Sequence, residues 1–485
     1  MTIQFSNTYA QLPDRLFARV SPFAFPAPSI VRFNNALAAD LGLDHKQLDS
    51  PEGAAILAGA KTPDGAEPLA MAYAGHQFGN WVPQLGDGRA MLLGEVVTPA
   101  GARFDIHLKG SGRTPFSRGG DGKAVLGAVL REYIISEAMH ALGIPTTRSL
   151  AAVATGEQVM REGLEPGAVL ARVAASHIRV GTFQYLYARK DAEGLQALMD
   201  HVIARHYPEC ASAETPALAL LAAVMARQAE LVARWMQVGF IHGVMNTDNV
   251  SIAGETIDYG PCAFMDTYHP STVFSSIDRQ GRYAWGNQPK IAHWNLAQFA
   301  QSLLPLIAAE PERAAVMAQE VLDAFGEMFE AAYFRVFQAK LGLTGTTEAD
   351  RALVTDLLHL MAEDTVDFTR AFRELARGLA GDDFSGVKSL FASESLFEDW
   401  LARWLSRLGN ERAIAATTML ANNPAFIPRN HRVEEALTAA NQGDFAPFET
   451  LLKVLSTPFE DQPNATQFEA PPRPEEIVHA TFCGT

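Results

Sequence analysis

The stretch His242-Gly243-Val244-Met245-Asn246-Thr247-Asp248-Asn249, followed a short way on by Ile257-Asp258-Tyr259-Gly260, decides how this chain is read. Between the two, Val250-Ser251-Ile252 and Glu255-Thr256-Ile257 flank Ala253-Gly254, which predicts two short strands around a tight turn. Asn249 and Asp258 lie equally far from that turn, so a hairpin returns both side chains to its open end. An amide oxygen and a carboxylate side by side suit Mg²⁺ or Mn²⁺, with phosphate oxygens and water completing the octahedron. A hairpin with polar ends is by itself an ordinary surface feature. His242-Gly243 ahead of it and Gly260 behind it select the metal reading.

The spacing is also that of a protein-kinase active site with one alteration. That pattern runs His-Arg-Asp, four residues, Asn, then a downstream Asp-Phe-Gly. Counted from His242, Asn249 takes the place of the metal-binding Asn, but the catalytic Asp falls on Val244, which cannot accept a proton. Upstream, Met91-Leu92-Leu93-Gly94-Glu95-Val96-Val97 and Arg103-Phe104-Asp105-Ile106-His107-Leu108-Lys109 flank Thr98-Pro99-Ala100-Gly101, which predicts a β-hairpin. In a kinase small lobe a strand lysine contacts phosphate and pairs with a helix glutamate. Lys109 fits the first role; Glu132, inside a helix expected over about 124–142, is the natural partner, with Glu137 the neighbouring alternative. Gly86 and Gly88, in Gln84-Leu85-Gly86-Asp87-Gly88-Arg89, let backbone approach a phosphate closely, and Arg89 adds a cation. Arg172 and Arg179 stand in apolar, strand-like text and call for an anion, either a structural carboxylate or a ligand phosphate.

Further along, Leu218, Leu221, Met225, Leu231, Val232 and Trp235 recur at helical spacing, predicting a long helix over 215–238 that Gly239 ends. Helices are also expected near 291–309, 313–341, 349–379 and 396–408. Residues 1–68 read as Pro-rich and irregular with a short helical piece near 31–41, and a Pro-rich tail over 459–476 is expected to wrap the surface or move. The order predicts an α+β protein with a bilobal, protein-kinase-like fold. Residues 1–180 form an N-terminal extension and a small β-rich lobe; 181–485 form a large, mostly helical lobe with a helical C-terminal extension and tail.

Composition narrows the partners. Lys and Arg number 39 against 55 Asp and Glu, a net charge of −16, which argues against general nucleic-acid binding and against docking on an anionic membrane. No apolar run of about 18 residues stands out, so no spanning helix is expected, and the amino end has no signal-peptide apolar core. Three cysteines, Cys210, Cys262 and Cys483, are too sparse for a disulfide framework, so a reduced, cytoplasmic protein is expected. Cys262 follows the Asp-Tyr-Gly segment and Cys483 lies near the end; they read either as a buried thiol and a tail thiol, or as a redox-sensitive pair.

Lys109-Gly110-Ser111-Gly112-Arg113-Thr114-Pro115-Phe116-Ser117-Arg118, His177-Ile178-Arg179-Val180-Gly181-Thr182-Phe183, the 242–249 stretch, Asp258-Tyr259-Gly260-Pro261, and Asn423-Pro424 through Arg429-Asn430 resemble signatures of the selenoprotein O (YdiU-type) family. The resemblance covers nearly the whole chain, and Cys483-Gly484-Thr485 resembles the place where animal members carry selenocysteine. It implies a pseudokinase that binds ATP flipped relative to kinases and transfers AMP to Ser, Thr or Tyr hydroxyls of proteins, releasing pyrophosphate. Some bacterial members are described as uridylylating targets with Mn²⁺, so UTP is a second expected donor. The resemblance further implies Asp248 as proton acceptor, and Asn249 and Asp258 as ligands of Mg²⁺ or Mn²⁺. It places Gly86, Gly88, Arg89, Lys109, Asp121, Gly122, Arg172, Arg179 and Asp258 at the nucleotide. A kinase-like phosphotransferase and a non-catalytic nucleotide-binding scaffold are the competing readings.

Overall fold

A computed structural model describes residues 3–345, 347–479 and 481. Its β region is one antiparallel sheet. The strands in chain order are β1 (Phe17–Arg19), β2 (Ser29–Phe33), β3 (Leu69–Met71), the separate hairpin β4 (Gly75–Gln77) and β5 (Asn80–Val82), then β6 (Ala90–Val97), β7 (Arg103–Lys109), β8 (Ala124–Val125), β9 (Arg148–Met160) and β10 (Leu164–Ala174). The sheet runs β1-β3-β6-β7-β10-β9-β2, with β8 added to β10. The expected β6–β7 hairpin is present, with Ala90 opposite Lys109 and Val97 opposite Arg103.

Side chains alternate across the sheet, so one strand feeds two cores. Val169, Ala171 and Val173 join Leu37, Ile56 and Leu57 from the amino-terminal segment on one face. Ala168 and Leu170 point the other way, to Leu130 and Ile134 of helix α1 (Leu126–Ala141). Apolar residues on both faces explain why β6 and β10 read as near-continuous hydrophobic runs.

The rest of the described chain is mainly helical. Helix α2 (Val180–Ala188) follows β10, and helix α3 (Pro216–Gln237) packs between α4 (Gln288–Ile307) and α5 (Phe325–Lys340). By length and composition α3 is apolar enough to cross a membrane; Leu220, Leu221, Val224 and Trp235 on it are instead buried in the core. The expected helix over 349–379 is interrupted. Glu348–Glu363 ends before Thr365, which sits at φ 54°, and α6 (Phe368–Gly381) restarts with Asp367 accepting from the Arg370 N–H at 2.8 Å. Phe368 N–H also donates to Asp266 O at 2.8 Å, which holds the break. The span 313–341 likewise divides into Pro311–Leu322 and α5. Near 31–41 the expected helix is half strand: Ile30 and Val31 lie in β2 against β9, and only Asn35–Asp40 is helical, capped by Asn34.

The carboxyl-terminal helices α7 (Asn430–Asn441) and α8 (Ala446–Leu455) return to the β region. Leu437, Phe448 and Leu451 pack against α1, covering the side of α1 that the sheet leaves open. The described tail ends at Thr481, whose hydroxyl donates to Phe274 O at 2.6 Å and faces Pro261 O at 3.2 Å.

Candidate functional site

A two-residue ladder, Phe240–Ile241 against Ala263–Phe264, brackets the decisive stretch and brings its two ends together. Within it, His242 Nδ1 accepts the Val244 N–H at 3.3 Å. The proton therefore sits on Nε2, which donates to Ile257 O at 2.9 Å and ties the first loop to the second. Burial lowers the pKa of His242, keeping this tautomer neutral. The Asn249 amide NH₂ donates to Val244 O at 2.9 Å, which commits its nitrogen and leaves Oδ1 for a ligand.

The hairpin expected over 250–257 does not form. Its first limb pairs with the chain before α2: Val180 N–H donates to Val250 O and Ile252 N–H to Ile178 O, both at 3.0 Å. Its second limb lies against 145–147, with Thr256 N–H donating to Pro145 O at 2.9 Å. The strand-forming residues find partners, but each limb finds a different one. Asn249 and Asp258 still arrive at the same cavity, which has a volume of about 240 Å³.

The cavity is framed by the sheet, α1 and these loops. Lys109 lies opposite Leu170 and His107 opposite Arg172 in the β7–β10 register, so the two cations project on one face, two residues apart. Glu132 of α1, which packs on that face, receives Lys109 at 2.5 Å and Arg172 at 3.2 Å. Glu137 is instead taken by Arg148 and Asn34, which settles Lys109's partner as Glu132. Asp258, at φ 63°, completes the cluster: its Oδ1 is 2.9 Å from Lys109 Nζ and 2.7 Å from Arg172 Nη1, and its Oδ2 is 3.5 Å from Arg179 Nη2. Burial alone would raise the Asp258 carboxyl, but Lys109, Arg172 and Arg179 together hold it well below the usual range. Around the cavity Arg89, Lys109, Arg131, Arg172 and Arg179 face Asp87, Glu132, Asp248 and Asp258, five cations against four carboxylates, and the remaining positive charge suits an anion.

Arg179 is not on a strand. It stands immediately before α2, with its guanidinium 4.4 Å from the Tyr73 ring centre. Arg172 is on β10 as expected, and its Nε–H donates to His107 Nδ1 at 3.2 Å. His107 must then carry its proton on Nε2, which donates to Asp87 at 3.0 Å. His177 stacks on His107 with ring centres 4.3 Å apart and pairs with Asp105. Burial, seconded by His107, pushes His177 down to about 3, so both rings are neutral. This buried relay behind Arg172 was not anticipated from the sequence. Its signal was present as Asp105 and His107 inside an otherwise apolar strand.

Asp248 lies on a single 3-10 turn, Thr247–Asn249, and is buried. Burial pushes its carboxyl up to about 6, opposed mainly by Arg179. Its Oδ1 has no hydrogen-bond partner among the described residues, and Oδ2 is 3.5 Å from Gln77 Nε2. The hairpin β4–β5 is pinned to the same turn: His76 N–H donates to Thr247 Oγ1 at 2.7 Å and Phe78 N–H to Asn246 Oδ1 at 2.9 Å.

Of the sequence-derived residues, Gly88, Arg89, Lys109, Glu132, Arg172, Arg179, Asp248, Asn249 and Asp258 line the cavity together. Gly86 does not; at φ 74°, a Cβ there would come 2.4 Å from the Phe116 ring, so its glycine serves packing. Asp121 is held by Arg161 at 2.8 Å, and with Gly122 lies outside the lining, on the approach to Ala124, which is part of it. The cavity also includes Arg131, whose Nη2 donates to Cys262 O at 2.6 Å and to Asn430 Oδ1 at 3.0 Å. Cys262 is buried; Cys483 falls outside the described residues, and so does the pair it was read to form.

The donor set fits a hard divalent ion: one carboxylate and one amide oxygen whose nitrogen is already committed, in a cavity lined by cations that suit phosphate. No group of three or more His, Cys, Asp or Glu able to hold a metal occurs among the described residues. Such an ion would take most of its ligands from nucleotide and water.

The family model described as "Protein adenylyltransferase SelO" matches residues 1–456. The "Protein nucleotidyltransferase YdiU" of Methylorubrum extorquens is 60% identical over 492 residues, covering 99% of each chain. The protein of the same name from Rhodopseudomonas palustris (strain BisB5) is 59% identical over 492 residues and covers all of both chains. That from Bradyrhizobium diazoefficiens is 58% identical over 491 residues, again over the full length of both. The chain belongs to the SelO family of protein adenylyltransferases.

Proposed function

We propose that this protein transfers AMP from ATP to a hydroxyl side chain of a protein substrate, with UTP as a second nucleotide donor, in the cytoplasm. The observation that carries the reading is Asp248: a buried carboxylate, raised to about 6, with one oxygen unpartnered among the described residues, on the same cavity as the cations around Asp258. Lys109, Arg172, Arg179 and Arg89 bind the phosphates, with Gly88 beside them. Asp121, Gly122 and Gly86 shape the adjoining loops on the nucleotide's flank. Asn249 and Asp258 hold Mg²⁺ or Mn²⁺, which when bound neutralises phosphate charge and orients the nucleotide.

In the reaction the acceptor hydroxyl oxygen forms a bond to the α-phosphorus. The bond from that phosphorus to the oxygen bridging the β-phosphate breaks, and pyrophosphate leaves. The hydroxyl proton passes to the Asp248 carboxylate. Arg172 and Arg179 stabilise charge on the departing pyrophosphate, and the His107–Asp87 relay holds Arg172 in place for this.

The sheet-borne Lys109–Glu132 pair on one side, and the 242–260 loops on helical framework on the other, support a bilobal, kinase-like arrangement with its division near residue 180. The same pair favours a second reading, γ-phosphoryl transfer, because active kinases use it. Val244 at the place of the kinase base weighs against that reading. ATP labelled separately on the α- and γ-phosphates decides between them. Protein that gains α-label and not γ-label supports AMP transfer, γ-label supports a kinase, and binding with neither supports a scaffold.

A further inference from the structure

On the loop that carries Asp248, one further side chain is fixed in orientation and faces the cavity with free donors. Asn246 is buried and lines the same cavity as Asp248, Asn249 and Asp258. Its Oδ1 is met by Phe78 N–H at 2.9 Å and by the Tyr283 hydroxyl at 2.7 Å. A backbone N–H can only donate, so the atom it meets is the amide oxygen, and the orientation of the group is settled. The nitrogen keeps two N–H groups. Among the described residues nothing accepts from it, and it is not one of the fully buried polar atoms, so it opens on the cavity.

Two separate elements hold the amide this way. Phe78 stands at the tip of the β4–β5 hairpin with φ 52°, followed by Gly79 at φ 84°. A two-residue tip with both φ values positive favours Asn or Gly, and a phenylalanine there is strained. What the strained residue supplies is the N–H to Asn246 and a ring that meets Tyr283 edge-on at 5.2 Å. Tyr283 comes from the segment before α4, where its own N–H and that of Arg282 donate to Asp278 at 2.7 and 2.9 Å. Strain of this kind persists where the surroundings impose it, and it concentrates at functional sites.

We infer that Asn246 is a further catalytic residue, donating from Nδ2 to a non-bridging oxygen of the nucleotide's α-phosphate. The inference rests on the AMP-transfer reading above. In that reaction the acceptor oxygen gives its proton to Asp248 as it bonds to the α-phosphorus. A donor two residues from Asp248, on the same loop and facing the same cavity, is therefore close to the reacting phosphorus. As the hydroxyl adds and pyrophosphate leaves, the non-bridging oxygens carry the charge of the transition state. An N–H already held in place stabilises that charge without reorganising. An amide suits the position better than a cation, because it adds no positive charge beside the carboxylate that has to take a proton.

The test follows label from three nucleotides onto the full chain and onto proteins of a cell extract. One is ATP labelled on the α-phosphate; the others are the two ATP diastereomers with labelled sulfur at a non-bridging α position. Sulfur accepts hydrogen bonds poorly. Asn246→Ala is expected to lower the rate at saturating nucleotide by about 100-fold or more with ATP and with one diastereomer. With the other, whose sulfur already occupies the contacted position, the substitution is expected to cost almost nothing further. Calorimetry of ATP binding checks that the variant is folded. Should Asn246→Ala not bind ATP, Asn246→Asp takes its place, since it keeps the anchored oxygen and loses both N–H groups. An equal loss with all three nucleotides makes Asn246 a support for the turn and overturns the catalytic role alone, as does an unchanged rate. A wild-type protein that binds ATP but transfers no α-label to itself or to extract proteins overturns the transferase reading, and this inference with it.

Discussion

Asp248 and Asp258 face one cavity, yet their surroundings drive them in opposite directions. Asp258 is surrounded by Lys109, Arg172 and Arg179 and stays ionised, as the metal ligand proposed for this position must. Asp248 Oδ1 has no hydrogen-bond partner among the described residues, and burial makes this carboxylate the more basic of the two, as the proposed proton acceptor should be. Their substitutions should separate accordingly. Asp258→Ala is expected to abolish transfer, by at least about 100-fold, and to weaken metal-dependent ATP binding in calorimetry; near-normal activity would refute the metal assignment. Asp248→Asn keeps the shape of the turn and removes the base. It should lower kcat by about 10²–10⁴-fold while ATP affinity changes little. At this scale the sequence was informative, because Asn249, Asp258 and Lys109 stand in long, specific motifs. It could not show that Gly86 is a glycine for Phe116's sake, or that His107 orients Arg172. Those roles depend on neighbours brought from elsewhere in the chain.

Elements place these residues through backbone pairing as much as through side chains. The 250–257 segment has hairpin-forming text, but the edges offered by 145–147 and 178–180 capture its two limbs separately. The breaks inside 311–340 and 348–381 were equally hidden, since periodicity continues across them. What ends the helix near 364 is the Asp367 cap and the hold of Asp266 on Phe368, neither visible as a Pro or Gly signal. The β4–β5 hairpin shows how narrow the tolerance is near the site. A Cβ at Gly75 would stand 2.8 Å from Asp248 Oδ1. Gly75→Ala should push the hairpin and the Asp248 turn apart, lowering kcat by about tenfold or more with ATP affinity retained; steady-state kinetics alongside calorimetry reads both quantities.

Across the whole molecule, sheet and helices share a continuous interior, which a division of the sequence near residue 180 does not convey. Tyr9, Leu16 and Met71 from the β region lie in the same apolar cluster as Phe183, Leu220 and Phe299 from the helical region. That core holds one costly guest. Lys340 is 1% exposed at the end of α5, its ammonium 4.1 Å from the Phe372 ring centre and 5.2 Å from that of Phe368. Burial pushes its pKa down from 10.5 to about 7. A lysine whose folded pKa lies below its unfolded one destabilises fully below the folded value. The penalty fades as pH rises from about 7 toward 10.5, where the unfolded chain binds the extra proton. Lys340→Met is therefore expected to stabilise the protein by about 1–3 kcal/mol at pH 6. The gain should shrink by pH 9, as thermal unfolding at the two pH values would register; an equal gain at both would show that charge burial is not its source.

Arg131 gives the carboxyl-terminal helices a stake in the site. From α1 it reaches Cys262 O, just past the Asp258 loop, and at the same time Asn430 Oδ1 and Glu434 of α7. Residues 430–455 are thus no detachable appendage, even though they follow every cavity-lining residue in the chain by well over a hundred positions. Truncation at 429 would strip the outer wall from α1 and release the guanidinium that steadies the second loop. The smallest fragment worth expressing for catalysis accordingly extends through α8, and any shuffling of catalytic segments between relatives has to carry α1 and α7 as a matched set.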